Sequence, residues 1–521
     1  MKMKKIIKLF TFAALILSLA TFVSCTKNFE EINTDNDNPS IDQAAPNMLL
    51  TGAIESMTDR VHEIFLGHEM GSCWVQQMAK VQYTDEDRYI FRPGVVNNSW
   101  RSFYAASGMD FATIIKIGNN NYKGVALVCQ CYIGSVVTDL FGPVPYTGAW
   151  KGEDNLLPAY DSQETVYRTI IAQLDSANMV LLDDHGLEIA GDILFNNDIL
   201  MWKKFANSLR LKLLLRMSGR DAAFATAEMT KMVADPATYP VFESSADNAS
   251  LQYLGSAPNN NPINENRKTR DDHRVSKNLI DLVMGKYYDY RVMIFANPAV
   301  ATDEFVGLPN GLYSAEAAAY LGNGIEQTSK IGFNFSAATA PGQLMNYAEL
   351  EFVLAEAAVK GYIPGGMEAA KMHYDLGIAG SFDQYHDWLQ AIFTEHWDDA
   401  YGGLSIDSGY TVEMERDYHI LDPTAPAFFS TSLTPAEALQ KIAEQRYIAE
   451  FDLGLEAWFE WRRTGYPMLT VPPANANQGK IPVRVPYPSD EYATNPSALE
   501  AGKTLLGGAD DLNTPVWWDV N

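Results

Sequence analysis

Apolar residues recur at helical spacing over much of the chain. Val166, Ile170, Leu174, Ala177 and Leu181 form one stripe behind Asp161-Ser162-Gln163-Glu164, a capping-box pattern, which predicts a helix from about Ser162 to Leu182. Trp202, Phe205, Leu209, Leu213 and Met217 form the next stripe, so 162–218 reads as two helices joined by a loop. Met345, Ala348, Phe352, Ala355 and Val359 are spaced 3, 4, 3, 4, with Tyr347, Leu350, Leu354 and Ala358 on an adjoining face. A helix apolar on two sides must lie between neighbours. It stops at Gly361 and Pro364, and Met367, Ala370 and Tyr374 start a partner, giving a hairpin over 344–377. That length is close to the roughly 34 residues of a tetratricopeptide repeat. A third hairpin is expected over 434–465, opened by Thr434, Pro435 and Glu437, pausing near Gly454 and ended by Gly465 and Pro467.

Between the hairpins lie stretches rich in Gly, Asn and Pro at 238–275, 296–343, 400–433 and 467–521. They exceed ordinary connections, and loops of that length on a rigid scaffold are candidates for a ligand surface.

The N-terminus carries a different pattern. Met1-Lys2-Met3-Lys4-Lys5 precedes an apolar run from Ile6 to Ala20 and a short segment ending at Cys25, which reads as an export signal. The run is shorter than the about 20 residues of a membrane-crossing helix. Cys25 after Phe22-Val23-Ser24 resembles a bacterial lipobox, so residues 1–24 are expected to be removed and Cys25 to carry acyl chains. Residues 25–45 are polar and turn-rich, fit for a flexible tether, and 46–521 are expected to form one domain. The early acids Glu30, Glu31, Asp35 and Asp37 look like a signal for export to the outer face of the outer membrane.

The 521 residues hold 39 Lys and Arg against 65 Asp and Glu, a formal net charge of −26. Losing Lys2, Lys4, Lys5 and Lys8 with the signal leaves 35 − 65 = −30. Such a chain repels a phosphate backbone, so no nucleic-acid partner is expected. The 4 cysteines make no disulfide framework.

Several segments resemble one family in the same order. Leu455-Glu456-Ala457-Trp458-Phe459-Glu460-Trp461-Arg462-Arg463-Thr464-Gly465-Tyr466-Pro467 resembles the C-terminal signature of the SusD/RagB nutrient-binding outer-membrane lipoproteins. Thr138-Asp139-Leu140-Phe141-Gly142-Pro143-Val144-Pro145-Tyr146 is similar to that family's Asp-x-x-Gly-x-Val-Pro-Tyr turn, and Trp202 to Leu211 to its central helix. Ala348-Glu349 with Ala355-Glu356-Ala357, and Tyr487-Pro488-Ser489-Asp490-Glu491 with Trp517-Trp518-Asp519, complete the set. Tyr288-Asp289-Tyr290-Arg291 departs from the Asp-Pro-Arg often found at that turn. The resemblance implies a mainly α fold of four tetratricopeptide-like helix pairs with a loop-rich ligand-binding half. It further implies a SusC-like TonB-dependent barrel as partner, beneath a lid that captures oligosaccharide or peptide without bond chemistry.

Searching for chemistry finds no His-Glu-x-x-His, Gly-x-Ser-x-Gly, phosphate loop or close Cys/His spacing, and the 8 histidines are scattered. No cofactor is expected. Asp35-Asn36-Asp37 and Asp398-Asp399 are the nearest to a calcium loop, without its spaced ligands. Arg446, Glu450, Glu456, Arg462 and Arg463 read as an ion-paired network between packed helices, and Asp139 as an acceptor for backbone N–H groups.

From Cys73 to Tyr104, Trp74, Gln77, Tyr83, Arg88, Tyr89 and Trp100 crowd aromatic and polar side chains together. Sugar rings stack on aromatics while their hydroxyls need polar partners. The loop 258–274, with Asn264, Arg267 and His273, offers the hydrogen-bonding half. The expectation is a surface lipoprotein that binds a glycan or peptide and works with a transporter. Its rivals are a lipid-tethered glycan hydrolase and a transporter scaffold that binds no ligand.

Overall fold

The computed structural model describes Met3, residues 44–182 and residues 189–520. All of the export signal but Met3, together with Cys25, most of the 25–45 tether and Asp35-Asn36-Asp37, lies outside the described residues.

From Pro46 onward the described residues are mainly α, and the helices that form the scaffold are α1 Pro46–His62, α2 Asn120–Phe141, α3 Gln163–Val180, α4 Ile199–Met217, α5 Ala222–Ala234, α6 Tyr347–Val359, α7 Gly366–Gln384, α8 Pro435–Ala449 and α9 Gly454–Thr464. Side-chain caps fix their starts. Ser162 accepts from the Thr165 N–H at α3, Asp198 from Met201 at α4 and Asn346 from Glu349 at α6. Thr434 and Glu437 cap α8 reciprocally, as their spacing predicts. Asp161 takes no part in capping α3. Its carboxylate receives the N–H groups of Tyr146 and Thr147 in the Pro-rich turn instead.

α2 packs on α3, α4 on α5, α6 on α7 and α8 on α9, and contacts of α3 with α4, α4 with α6 and α6 with α8 join the pairs. This is a tetratricopeptide-like scaffold. α2 is long and apolar enough to cross a membrane, but its side chains are buried within the protein. Cys73, Cys129 and Cys131 are buried free thiols.

Where the pairs meet, charge replaces hydrocarbon. Arg216 of α4 reaches Asp139 of α2 at 2.7 Å and Glu460 of α9 at 2.9 Å. Arg446 of α8 holds Glu450 at 2.6 Å and Glu460 at 2.8 Å, and Arg463 holds Glu356 of α6 at 2.5 Å. Arg462 donates to the carbonyls of Val483 and Asp139 and lies 4.0 Å from the centre of the Trp458 ring. Asp139 accepts from side chains, the Tyr167 hydroxyl and the Trp518 indole both at 2.6 Å, where the sequence suggested backbone partners. The Asp289–Arg291 pair, bonded at 2.6 Å, closes the divergent turn at 288–291.

Irregular segments are pinned by short strands. β1 Met78–Lys80 pairs antiparallel with β3 His273–Val275, Met78 opposite Val275, while β2 Ala249–Leu251 pairs with β4 Gly342–Met345. A π-helical turn, Ile64–Ser72, lies against the start of α9 so closely that a Cβ on Gly454 would sit 2.3 Å from the Ser72 nitrogen.

Candidate functional site

The segment 73–89 turns sharply, with positive φ at Gln76, Tyr83 and Tyr89. These turns sort its side chains. Trp74 is 1% exposed, donates its indole N–H to the Glu86 carbonyl and meets Trp458 edge to face at 5.2 Å. Gln77 is buried and donates to the carbonyls of Tyr447 and Glu450 at 3.0 and 3.2 Å. Tyr89 and Trp100 are buried too, the latter against Tyr104 and Phe141. Tyr83, by contrast, is 58% exposed.

The guanidinium of Arg270 lies 4.6 Å from the centre of the Tyr83 ring. Arg88 makes the same contact at 4.3 Å with Tyr313, itself 52% exposed, while its Nε–H donates to the Ala474 carbonyl. Thr84 and Ser314, the next residue after each tyrosine, touch at 3.3 Å through their hydroxyls. Two arginine-backed tyrosines thus border one seam on the surface. Such a ledge offers aromatic faces for a sugar ring and guanidinium N–H groups for its hydroxyls.

What holds the ledge is polar and buried. The Asn310 amide donates to the Met78 carbonyl at 2.7 Å and to Asp87 at 2.6 Å, and its oxygen accepts from Ser276 at 2.5 Å. Asp87 also receives the Gly311 N–H at 2.9 Å. Burial pushes the Asp87 carboxyl up to about 6, against the pull of the Gly311 and Asn310 donors. Beneath them the buried ammonium of Lys80 is shared by Glu69, Glu86 and Asp272. His273 is buried in β3, 3.4 Å from Glu69.

Asn264 and Arg267 sit on a short helix, Pro262–Arg267, half-buried. Asn264 donates to the Ser336 carbonyl at 3.0 Å and Arg267 to Asp271 at 3.1 Å. Of the residues singled out from sequence, Tyr83 and Arg88 therefore stand at the ledge. Asn264 and Arg267 lie on the adjoining loop, and Trp74, Gln77, Tyr89 and His273 are packed below. Tyr313 and Arg270 were missed, although each lies in a stretch whose length marked it as a ligand-surface candidate.

Among the described residues, two groups bring three potential metal ligands together: Asp289, Glu415 and His419, and Glu349, Glu450 and Glu456. Arg291 already occupies Asp289, with Tyr290 and Tyr410 on Glu415, while Lys212 and Arg446 stand among the three glutamates. Asp398 and Asp399 accept the backbone N–H groups of Ser408 and Ala400.

A family model described as "Starch-binding associating with outer membrane", SusD-like, matches residues 37–488. The chain belongs to the SusD-like family. Solved structures agree. A chitin-binding SusD homologue from Flavobacterium johnsoniae is 25% identical, with a TM-score of 0.74 over 91% of this chain and 99% of that one. A SusD homologue from Bacteroides vulgatus, also 25% identical, gives 0.72 over 91% and 98%. Another, described as a chitin-binding protein, gives 0.75 over 92% and 100%, at 25% identity. No curated protein matches. In this SusD-like protein the ledge is built by the segment 73–89 together with two of the excursions from the helical scaffold, 238–275 with Arg270 and 296–343 with Tyr313.

Proposed function

We propose that this SusD-like protein is a cell-surface lipoprotein, anchored to the outer membrane through Cys25, that captures an oligosaccharide on the ledge and passes it to a SusC-like TonB-dependent barrel. It acts by binding and by motion, with no bond made or broken. The observation that carries this reading is the pair of exposed tyrosines, Tyr83 and Tyr313, each backed by an arginine. In a protein with so many apolar residues inside, aromatic rings left outside and braced from below point to a ligand. Trp74, Gln77, Tyr89 and His273 serve the site from beneath, by fixing the backbone that presents the ledge.

Two of the similar structures are described as chitin-binding, which makes N-acetylglucosamine oligomers the first ligands to try beside starch fragments. Calorimetry with each, followed by chromatography after hours of incubation, separates the readings. Binding without new products supports capture, and product release would establish the hydrolase instead. A chain that copurifies with a large β-barrel yet binds neither glycan nor peptide is a scaffold.

A further inference from the structure

Three buried histidines converge from three elements: His62 on α1, His68 on the π-helical turn and His273 on β3. The rings of His62 and His68 stand 6.3 Å apart, edge to face, and His273 lies close enough to bear on the charge of His68. Asp452, in the turn between α8 and α9, approaches His68 at 3.3 Å, while Glu69 and Asp272 approach His273 at 3.4 Å. None of these contacts has the alignment of a hydrogen bond. Both ring nitrogens of His68 and of His273 are therefore buried without a hydrogen-bond partner among the described residues.

The anions nearby are already committed. The carboxylates that meet the Lys80 ammonium, Glu69, Glu86 and Asp272, also face Arg92 and Arg270, three negative charges against three positive. Asp87 gives its oxygens to the Lys80 N–H, Asn310 and Gly311. Burial holds the Asp452 carboxyl well above the usual carboxylate range, so it is no ready counter-charge. A proton on His68 or His273 thus makes a buried charge with no anion to spare, and opening to water relieves it. The part able to yield is the β1–β3 ribbon. Two strands of three residues are marginal without support, and this ribbon leans on the cluster. β1 packs on the π-helical turn, His273 sits opposite Lys80 in the register, and Lys80 is bonded to Glu69, the residue after His68. The same ribbon runs into the ledge, with Tyr83 three residues beyond Lys80 and Arg270 three residues before His273.

We propose that His62, His68 and His273 form an acid-triggered release: a proton taken up among them drives the β1–β3 ribbon off the π-helical turn, and the Tyr83 side of the ledge lets go of its ligand. The sign follows from the packing. Burial, helped by His273 and His62, holds His68 well below its ordinary value, so the packed arrangement binds the proton less tightly than a hydrated ring does and acid favours opening. The release of ligand rests on the ledge being a glycan surface, whereas the opening of the ribbon does not.

The test compares the full chain at about pH 7.5 and about pH 5.5, on either side of the ordinary histidine value. Hydrogen exchange, corrected for the intrinsic rate at each pH, should show about tenfold less protection at residues 78–81 and 272–276 in acid, while α6 and α7 keep theirs. Affinity for N-acetylglucosamine oligomers or starch fragments should fall about tenfold over the same interval. His68→Gln and His68→Met cannot take up the proton. Each should remove most of both losses, and two variants of different polarity guard against one that fails to fold, as circular dichroism would show. Equal protection at both pH values in the unaltered chain, a loss that persists in a folded His68 variant, or a loss spread over α6 and α7 overturns the proposal. If the ribbon opens in acid but neither glycan binds at either pH, the switch stands and the ledge reading falls.

Discussion

Tyr83 and Trp74 are nine positions apart and indistinguishable in kind by composition, yet one faces solvent and the other is 1% exposed. The difference predicts opposite phenotypes. Trp74→Ala should cost about 3–5 kcal/mol in urea unfolding, as a truncated core aromatic does, and Tyr83→Ala should weaken glycan binding about tenfold with an unchanged Tm. Asn310 is a less visible determinant: no sequence pattern marks it, but it ties β1, Ser276 and Asp87 together. Asn310→Ala leaves Asp87 and a Met78 carbonyl underbonded in the interior and should cost about 2 kcal/mol or more. It should also loosen the ledge, seen as faster hydrogen exchange at residues 78–88 and 308–314. A side chain two of whose partners, Met78 and Asp87, lie 232 and 223 residues away cannot be recognised from its neighbours in the chain.

At the scale of elements the sequence was far more legible. The stripe Val166, Ile170, Leu174 and Ala177 is the buried face of α3, and the doubly apolar pattern from Tyr347 to Val359 is α6, which packs on α4, α7 and α8, while Met345, assigned to that helix by its spacing, ends β4 instead. Caps were legible for the same reason, because they act within one turn. Thr434→Ala should lower stability by about 1 kcal/mol by thermal melting, as one reciprocal cap is lost. Gly454 read as a pause between helices and proves to be a contact point. With Ser72 N only 2.3 Å from a would-be Cβ, Gly454→Ala must separate α9 from the π-helical turn, which should lower Tm by several degrees.

Across the whole molecule, buried ionisable groups set the response to acid. Burial holds His68 well below its ordinary value, aided by the nearby His273 and His62, and burial lowers His62 too. Each stays neutral in the fold while the unfolded chain takes up its proton below about pH 6.5, so stability is lost as pH falls through that point. The loss for each histidine continues only down to its lowered folded value, and His68→Gln should flatten the plot of Tm against pH just below 6.5. A second window lies lower. Burial alone would raise Glu356, but Arg463 and Lys360 bring it down to about 2. Its contribution is present above the unfolded value of about 4.3 and fades as pH drops from there toward 2. Removing Arg463 should shift that lower acid transition upward.

Composition and periodicity determined, without any coordinates, that this is an acidic, mainly helical chain of stacked pairs with long excursions. Those properties depend on spacing within a turn or on sums over the chain, and ordered segment matches named the family. The tertiary structure decided which aromatic of 73–104 faces solvent and which two distant loops supply Tyr313 and Arg270 beside it. Such choices follow from long-range pairing, Met78 with Val275 and Asn310 with Asp87, whose free energy belongs to no local window.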